Sequence, residues 1–221
     1  RSGPSGGVTS IVLGPGGEIL IAGAFTYYNG TTRKGMALLN ADGSLHASFD
    51  PALPWYNNVI TCIALRPNGK ILLTGFMDIY GTENYRILQL NSDGSLDTGF
   101  ATGTGPDYEV NSMALQPDGK TLIIGEFTYY DGVARRNIAR INEDGSLDLG
   151  FDPGTGPNYG IEALALQPDG KILIGGGFTG FNGTAQGHIT RLNSDGSVDG
   201  NMASSFDPGF DLDGGASDMV M

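Results

Sequence analysis

The tripeptide Asp-Gly-Ser recurs four times at a constant distance along this chain of 221 residues. The copies begin at Asp42, Asp93, Asp144 and Asp195, each 51 residues after the one before. A constant period of this length is typical of repeat architectures such as solenoids and propellers, in which one structural unit packs against the next. The period therefore predicts four copies of one unit of 51 residues.

Each copy contains the same order of turn residues and apolar segments. In the third copy these landmarks are the turn Pro117-Asp118-Gly119, the apolar run Leu122-Ile123-Ile124, and then Gly125 and Phe127. Proline presets φ, aspartate closes the turn locally and glycine takes the strained position, so this turn joins two strands. The later Asp-Gly pair favours a tight hairpin into a fourth strand.

Short apolar runs bounded by turns, without a helical period, indicate an all-β fold. A unit of 51 residues with four strands matches one blade of a β-propeller. We therefore predict a β-propeller of four-stranded antiparallel blades over residues 1–221, with repeats at approximately 8–59, 60–109, 110–160 and 161–215. Residues 216–221 align with the first strand of a fifth copy. This stub predicts either that the chain is a piece of a longer repeat protein or that its end closes a ring.

The combined pattern resembles the delta-60 repeat, a β-propeller repeat family also described as a domain of unknown function. The resemblance covers almost the whole chain, and the third copy carries it best, in Ala114-Leu115-Gln116-Pro117-Asp118-Gly119-Lys120, Ile124-Gly125-Glu126-Phe127 and Ala139-Arg140-Ile141-Asn142-Glu143-Asp144-Gly145-Ser146-Leu147-Asp148. It implies large secreted or surface-attached proteins of bacteria, and sometimes of phage. It implies no established catalytic activity and supplies no catalytic residues.

The departures from this pattern are local. The first copy has Gly16 where aspartate is expected, the second copy loses a residue near Gly81, and the fourth gains four residues before Phe206. These differences affect the expected loop shapes and leave the expected fold unchanged.

The formal net charge of −12, with an isoelectric point near 4.3, narrows the classes of partner. Nucleic acids and anionic lipids need clustered Lys and Arg, so neither is expected as a partner. No apolar run approaches the roughly 18 residues of a membrane helix, so no membrane insertion is expected. Cys62 is the only cysteine, which excludes an internal disulfide, and its strand context predicts a small packed residue. Acidity and glycine-rich turns suit an extracellular or cell-surface location.

Tyrosines recur at two places in the repeat and are the predicted ligand-binding residues. One set follows the second strand and includes Tyr28 and Tyr130; the other follows the proline of each linker and comprises Tyr56, Tyr108 and Tyr159, with Trp55 beside the first. Repeat symmetry would place each set in a ring on one rim, where aromatic side chains can stack on glycans or anchor proteins. The alternative is that the rings pack against the next blade. Trp55 has the longest loop and the strongest expectation of exposure.

The Asn-x-Asp-Gly-Ser-Leu-Asp segments are weak calcium candidates through Asp93, Asp97, Asp144 and Asp148. Calcium binds about six to eight oxygens, and an EF-hand-like loop begins with an aspartate two residues earlier. These segments instead have other side chains there, namely Leu38, Gln89, Arg140 and Arg191. An arginine would repel the ion, and a hairpin turn explains the same residues, so no metal or other cofactor is expected.

Catalytic motifs are absent from the sequence. Only His46 and His188 are present, and neither a Gly-x-Ser-x-Gly nor a His-Glu-x-x-His motif occurs. We therefore expect a non-enzymatic extracellular or surface module that binds glycan or protein, or that builds an assembly within a larger repeat protein. The alternative is a propeller glycosidase or lyase that uses an irregular acid such as Glu126, because a glycosidase needs only two carboxylates.

Overall fold

The computed structural model describes residues 3–51, 59–79 and 82–200. Within these ranges the chain forms 18 strands and no helix. No described residue therefore belongs to a helix long and apolar enough to cross a membrane. The chain divides into two compact units, Arg1–Gly105 and Pro106–Met221. The predicted repeat boundaries stay predictions, and residues 216–221 lie outside the described ranges.

The first unit contains two three-stranded antiparallel sheets, one in each repeat. The first sheet has the order β1-β2-β5 and consists of β1 (Gly7–Leu13), β2 (Ile19–Ala24) and β5 (Met36–Leu39). Between its last two strands, β3 (Tyr27–Tyr28) and β4 (Thr31–Thr32) form a separate two-stranded ribbon. The second sheet has the order β6-β7-β8 and consists of β6 (Val59–Leu65), β7 (Ile71–Ile79) and β8 (Thr82–Leu90).

The second unit repeats this arrangement twice, each time with a ribbon. In the third repeat the sheet consists of β9 (Val110–Leu115), β10 (Thr121–Gly125) and β13 (Ile138–Ile141), and the ribbon of β11 (Tyr129–Tyr130) and β12 (Val133–Ala134). In the fourth the sheet consists of β14 (Ile161–Leu166), β15 (Ile172–Gly176) and β18 (Ile189–Leu192), and the ribbon of β16 (Gly180–Phe181) and β17 (Thr184–Ala185). In both sheets the second strand in the chain lies in the centre.

The two recurrent turns of the repeat have one construction. In the third repeat, the Gln116 N–H donates to the Lys120 carbonyl at 2.8 Å, and the Gly119 N–H donates back to the Gln116 carbonyl at 3.0 Å. The Asp-Gly-Ser turn matches it, with the Gly145 N–H donating to the Asn142 carbonyl at 3.1 Å. Gly119 and Gly145 have φ of +84° and +92°. Both are therefore three-residue hairpin loops that need a glycine in the left-handed region.

The predicted fourth strand is reduced to one bridge in every repeat. The bridges join the outermost strand to the residue after the Asp-Gly-Ser turn, as Leu39 with Leu45, Leu90 with Leu96, Ile141 with Leu147 and Leu192 with Val198. Pairing stops because the chain turns again at once. In the third repeat the Gly150 N–H donates to Asp148 Oδ1 at 2.9 Å, and the next residue, Phe151, is buried. The blades thus have three full strands and a vestige of the fourth.

The recurrent glycine at the end of the central strand has a steric cause. Its pairing with the inner strand contains a bulge, so the two backbones approach closely at Gly125. A Cβ placed on Gly125 would lie 2.0 Å from the Glu109 carbonyl oxygen. No other residue fits there without a shift of one backbone, which explains the glycine noted in the repeat.

Each unit has its apolar core between its two sheets. In the first unit the core includes Leu20, Met36, Ile60, Leu73 and Phe49. In the second it includes side chains from both sheets and from the loop after the Asp-Gly-Ser turn, namely Leu122, Ile138, Phe151, Ile161, Ile174 and Phe178. The central strand β10 is buried at every residue, as expected for a strand covered on both faces. Cys62 is half-buried in β6.

Candidate functional site

The ribbons are short hairpins with tips of defined shape. In the third repeat the tip is Asp131-Gly132, with φ of +48° and +75°, and in the fourth it is Asn182-Gly183, with φ of +51° and +75°. Two consecutive residues with positive φ are the mark of a type I′ turn, which Asn-Gly and Asp-Gly favour. Each ribbon therefore projects as a stiff two-residue hairpin beside its sheet.

Successive tyrosines of a ribbon face opposite sides, because side chains alternate along a strand. Tyr130 is fully buried, and its hydroxyl donates to the Gly145 carbonyl at 2.8 Å. Its burial raises the pKa of Tyr130 well above the ordinary tyrosine value. Tyr129, by contrast, is 47% exposed.

The first repeat shows the same division of roles. Tyr28 is buried, and its hydroxyl donates to the Gly43 carbonyl at 2.7 Å, while Tyr27 is exposed. The prediction of ligand contact through Tyr28 and Tyr130 is therefore corrected: both rings pack inside their repeat and tie the ribbon to the Asp-Gly-Ser turn. Within these two ribbons, the exposed rings are those of Tyr27 and Tyr129.

Tyr108 and Tyr159, which follow the linker prolines, are both exposed, and Tyr159 has 64% of its surface accessible. Neither lines the cleft between the ribbons described below. Trp55 and Tyr56, the other predicted members of this set, lie outside the described residues.

The residue after each linker proline has a role that the sequence analysis missed. Asp107 Oδ1 accepts hydrogen bonds from the N–H groups of Thr128 at 2.7 Å and Tyr129 at 2.8 Å. Asn158 Oδ1 accepts the corresponding pair in the fourth repeat, from Thr179 at 2.9 Å and Gly180 at 3.0 Å. An acceptor side chain thus fixes where each ribbon begins. The signal was present in the sequence as Ser, Asp or Asn after the linker proline in three copies, with Trp55 in the remaining one.

A cleft of about 620 Å³ lies between the ribbons of the third and fourth repeats. One side carries Tyr129 and Arg136, the other Thr184 and Ala185, and the linker around Asn158 lies between them. The residues that form it come from segments as far apart as Thr128 and Ala185, which the repeat places side by side. The cleft is open to solvent, and most of its lining side chains are exposed.

Arg136 and its neighbour Arg135 have different surroundings. Arg135 is 8% exposed; its guanidinium donates to the Ala134 carbonyl at 2.8 Å and lies 3.9 Å from Asp152 Oδ1. Arg136 is exposed, lines the cleft, and forms no hydrogen bond or ion pair with the described residues. Within the part of the chain that the structure describes, the cleft therefore contains a cation whose hydrogen-bond donors are unused.

A second hollow of about 360 Å³ adjoins the cleft and shares Gly154 and Thr184 with it. It also contains Asp152 and Gln186 and reaches the turn of the fourth repeat at Ser197. The surface around Gly154 is thus recessed on both sides of the fourth ribbon.

The aspartates considered for calcium have other partners. Asp144 Oδ1 accepts hydrogen bonds from the Ser146 hydroxyl at 2.6 Å and the Ser146 N–H at 3.0 Å, and these bonds lower the pKa of Asp144. Asp93 makes the same pair of bonds with Ser95, with the same direction of pKa shift. Both carboxylates thus close the turn that carries them.

Asp97 and Asp148 form ion pairs. The Lys70 ammonium and the Gln89 amide each donate to Asp97 Oδ2 at 2.7 Å, and these bonds lower the pKa of Asp97 to about 2. Asp148 Oδ2 accepts from Lys120 at 2.8 Å and from Arg140. Within the described residues no three His, Cys, Asp or Glu side chains gather as metal ligands.

Arg140 is the centre of a clamp between the third and fourth repeats. Its Nε lies 2.6 Å from Asp148 Oδ2, its guanidinium stacks 5.0 Å from the centre of the Phe151 ring, and it donates to the Ser194 carbonyl of the next repeat at 2.5 Å. Arg140, which was expected to repel calcium, therefore supplies the positive charge that pairs with Asp148. Through its bond to Ser194 it also holds the third repeat to the fourth.

Glu126, the acid proposed for the alternative glycosidase, is exposed at the end of the central strand. Its N–H donates to the Glu109 carbonyl at 2.9 Å. It does not line the cleft, and none of the residues that do has a carboxylate. The structure therefore does not place a pair of acids around a common substrate position there.

Comparison with known proteins identifies the repeat. A family model described as a domain of unknown function (DUF5122) beta-propeller matches residues 15–49, 66–100, 116–151 and 167–201. No curated protein matches the chain. Together with the all-β architecture, the family match confirms the fold class predicted from the period of 51 residues.

Two solved structures are similar in fold. The extracellular domain of a hybrid two-component system from B. thetaiotaomicron has 16% identity and a TM-score of 0.52, over 88% of this chain and 23% of that one. PorZ of Porphyromonas gingivalis, described as an essential bacterial surface component of the type-IX secretion system, has 14% identity and a TM-score of 0.53, over 86% of this chain and 26% of that one. The chain thus spans about a quarter of each.

Proposed function

Because the chain belongs to the DUF5122 β-propeller family, we propose that it is a non-enzymatic binding module that works outside the cell or at its surface. In this proposal the sheets are a scaffold, and the ribbons and linkers form the surface that contacts a glycan or a protein. The competing role within the same class is purely structural, as a building block of a surface assembly.

The observation that carries the proposal is an exposed tyrosine ring at the wall of an open cleft. Tyr129 has about half of its surface accessible, although its ribbon neighbour Tyr130 shows that the fold can bury a ring at this place. Tyrosine offers a rigid face with little conformational entropy to lose and a polar tip, which suits ligand contact. The cleft volume of about 620 Å³ lies within the range common for small-molecule sites.

The composition of the cleft supports a role without catalysis. Its lining contains threonines, glycines, alanines, one tyrosine, one arginine, one proline and one asparagine. General acid–base and nucleophilic catalysis use His, Asp, Glu, Cys, Lys or Tyr, or a Ser or Thr hydroxyl that an adjacent base activates. In the described part of the chain the cleft has Tyr129 and four threonines, but its lining has no His, Asp, Glu, Cys or Lys that could activate them.

An extracellular setting and a longer parent polypeptide are supported by analogy. The two similar structures are an extracellular domain and a surface component, and each chain is about four times the length matched here. The net charge of −12 agrees with a surface-exposed acidic protein.

A glycan array probed with the wild-type chain and with Tyr129→Ala tests the binding role. Tyr129→Phe is the matched control, because it keeps the ring and removes only the hydroxyl. We expect the wild type and Tyr129→Phe to bind glycans on the array and Tyr129→Ala to lose this binding. If the wild type retains no glycan, and cross-linking on the surface of producing cells captures no protein at this face, the structural role replaces the binding role.

A further inference from the structure

The cleft between the third and fourth ribbons contains a cation that has no counterion among the described residues. Arg136 is exposed there and has no ion pair or hydrogen bond among the described residues, in a protein of net charge −12. Every other arginine or lysine discussed above that lies in the third repeat is paired: Arg135 with Asp152, and Arg140 and Lys120 with Asp148. An acidic protein that leaves one arginine unpaired in a recess offers an anion a local site.

The position of Arg136 is basic in two of the three repeats that have a ribbon and is glycine in the other. The aligned residue is Lys34 in the first repeat and Gly187 in the fourth. The arginine is therefore not required by the fold of the ribbon, which forms equally with glycine at this place.

The remaining groups of the cleft suit a sugar. The Tyr129 ring is available for stacking against the C–H face of a pyranose. The hydroxyls of Thr128 and Thr184 form no hydrogen bond within the described residues and can bond sugar hydroxyls. The Asn158 amide already bonds to Thr179 through both its oxygen and its nitrogen, so its main role is to shape the cleft.

Other anionic ligands fit less well. Nucleic acid carries one phosphate per nucleotide and needs several cations, whereas this cleft has one in a strongly acidic protein. An acidic peptide needs a desolvated apolar pocket for an anchoring side chain, and the small apolar residues here, Ala134, Ala185 and Pro157, line an open recess. A sugar with an isolated carboxylate matches a single arginine beside a ring and hydroxyls.

We propose that this cleft binds an acidic oligosaccharide of the uronic acid type, with a carboxylate paired to Arg136 and a sugar face stacked on Tyr129. Arginine matches a carboxylate with two parallel hydrogen bonds, which gives orientation as well as charge. The proposal rests on the proposed binding function and adds the class of ligand, the site and the contacts.

The test is calorimetric titration of the full chain with three uronate oligosaccharides: trigalacturonate, a hyaluronan hexasaccharide and an alginate trimer. Methyl-esterified trigalacturonate serves as the ligand control, because it has the same sugars without the carboxylate charge. The variants are Arg136→Ala, Arg136→Lys and Ala185→Trp, which fills the cleft without changing charge. Lys34→Ala removes one positive charge at the aligned position of the first repeat and controls for net charge.

We expect at least one acid oligosaccharide to bind, with affinity about tenfold lower for its esterified form and for Arg136→Ala, intermediate for Arg136→Lys, lost for Ala185→Trp and unchanged for Lys34→Ala. Higher ionic strength should weaken binding of the acid but not of a neutral sugar. Three results would overturn the proposal. They are equal binding of the acid and its ester, equal losses of affinity for Arg136→Ala and Lys34→Ala, and binding of a triglutamate peptide in place of sugars. Binding of neutral glycans alone, or binding of no glycan while a protein is still cross-linked at this face, would overturn it and leave the proposed function intact. Binding of neither a glycan nor a protein would remove both.

Discussion

Asp148 should contribute to stability through its charge, and the size of this contribution can be derived from its surroundings. It accepts hydrogen bonds from Lys120 at 2.8 Å and Arg140 at 2.6 Å, and its side chain is about one tenth exposed. Although burial opposes ionisation, these bonds bring the pKa of Asp148 down to about 2, from 3.8 for a free aspartate. At about 1.4 kcal/mol for each unit, the difference corresponds to roughly 2 kcal/mol of stability at neutral pH.

The sign of this linkage determines where the stabilisation acts. A carboxylate whose pKa is lower in the folded state stabilises the fold above its unfolded-state pKa. The contribution is therefore complete above about pH 5, and it disappears as the pH falls from about 4 toward 2. Asp148→Asn should reduce the free energy of unfolding by about 2 to 4 kcal/mol at pH 7, because it also leaves the buried Arg140 and the half-buried Lys120 without their anion.

The measurement is urea unfolding followed by circular dichroism at pH 7 and near pH 2.5. The control is Asp118→Asn, an exposed aspartate whose Oδ1 accepts from the Lys120 N–H at 3.1 Å. Asn68 makes the same bond to Lys70 in the second repeat, so this control should change stability by less than about 0.5 kcal/mol. The gap between Asp148→Asn and wild type should shrink at low pH. An equal gap at both pH values would refute the reasoning and assign the loss to geometry instead of charge.

Three further outcomes are expected. Ile63→Ala should reduce the free energy of unfolding by about 2 to 4 kcal/mol, because Ile63 lies in the core and is only 4% exposed. Ile11 lies at the aligned position of β1 and is 63% exposed, so Ile11→Ala should reduce it by less than about 0.5 kcal/mol. Equal losses in chemical denaturation would contradict the burial argument. Gly196→Ala should destabilise the protein by more than about 1 kcal/mol in thermal unfolding, since φ is +93° and a Cβ would lie 2.9 Å from the Asp152 carbonyl carbon. Gly187→Ala is the control, because a Cβ at Gly187 would have open space around it. Excess calcium or a chelator should leave the melting temperature unchanged, and a rise with calcium would restore the metal hypothesis.

Local features of the fold were predictable because their causes lie within a few residues. Pro117, Asp118 and Gly119 form their turn through bonds between neighbours, and the position of Gly119 in the left-handed region follows from the turn itself. The length of the fourth strand was overestimated, because the prediction relied on the local signal of one turn and missed the next. The sequence pattern shows the hairpin at Asp144 but not the second turn at Asp148, which ends the pairing after one bridge.

The candidate site was only partly predictable. Both tyrosines of the third ribbon were apparent as aromatic residues of a loop, and the prediction selected Tyr130, which is buried, instead of Tyr129. Side chains alternate along a strand, and a shift of one residue exchanges the faces, so only the packing of the ribbon decides which ring is outside. Arg140 was interpreted as an obstacle to a metal, whereas its bonds to Asp148 and Ser194 join two repeats.

The sequence by itself determined the unit, its number of copies, its turns and the propeller class, because a constant period and local turn chemistry need no long-range information. The tertiary structure decided which polar groups are satisfied inside the protein and which remain free. Lys120 finds its partner 28 residues away, while Arg136, only 16 residues further along the chain than Lys120, finds none among the described residues. That difference depends on which side chains the folded chain brings alongside each cation, and among the described residues it leaves the cleft beside Tyr129 with an unpaired cation.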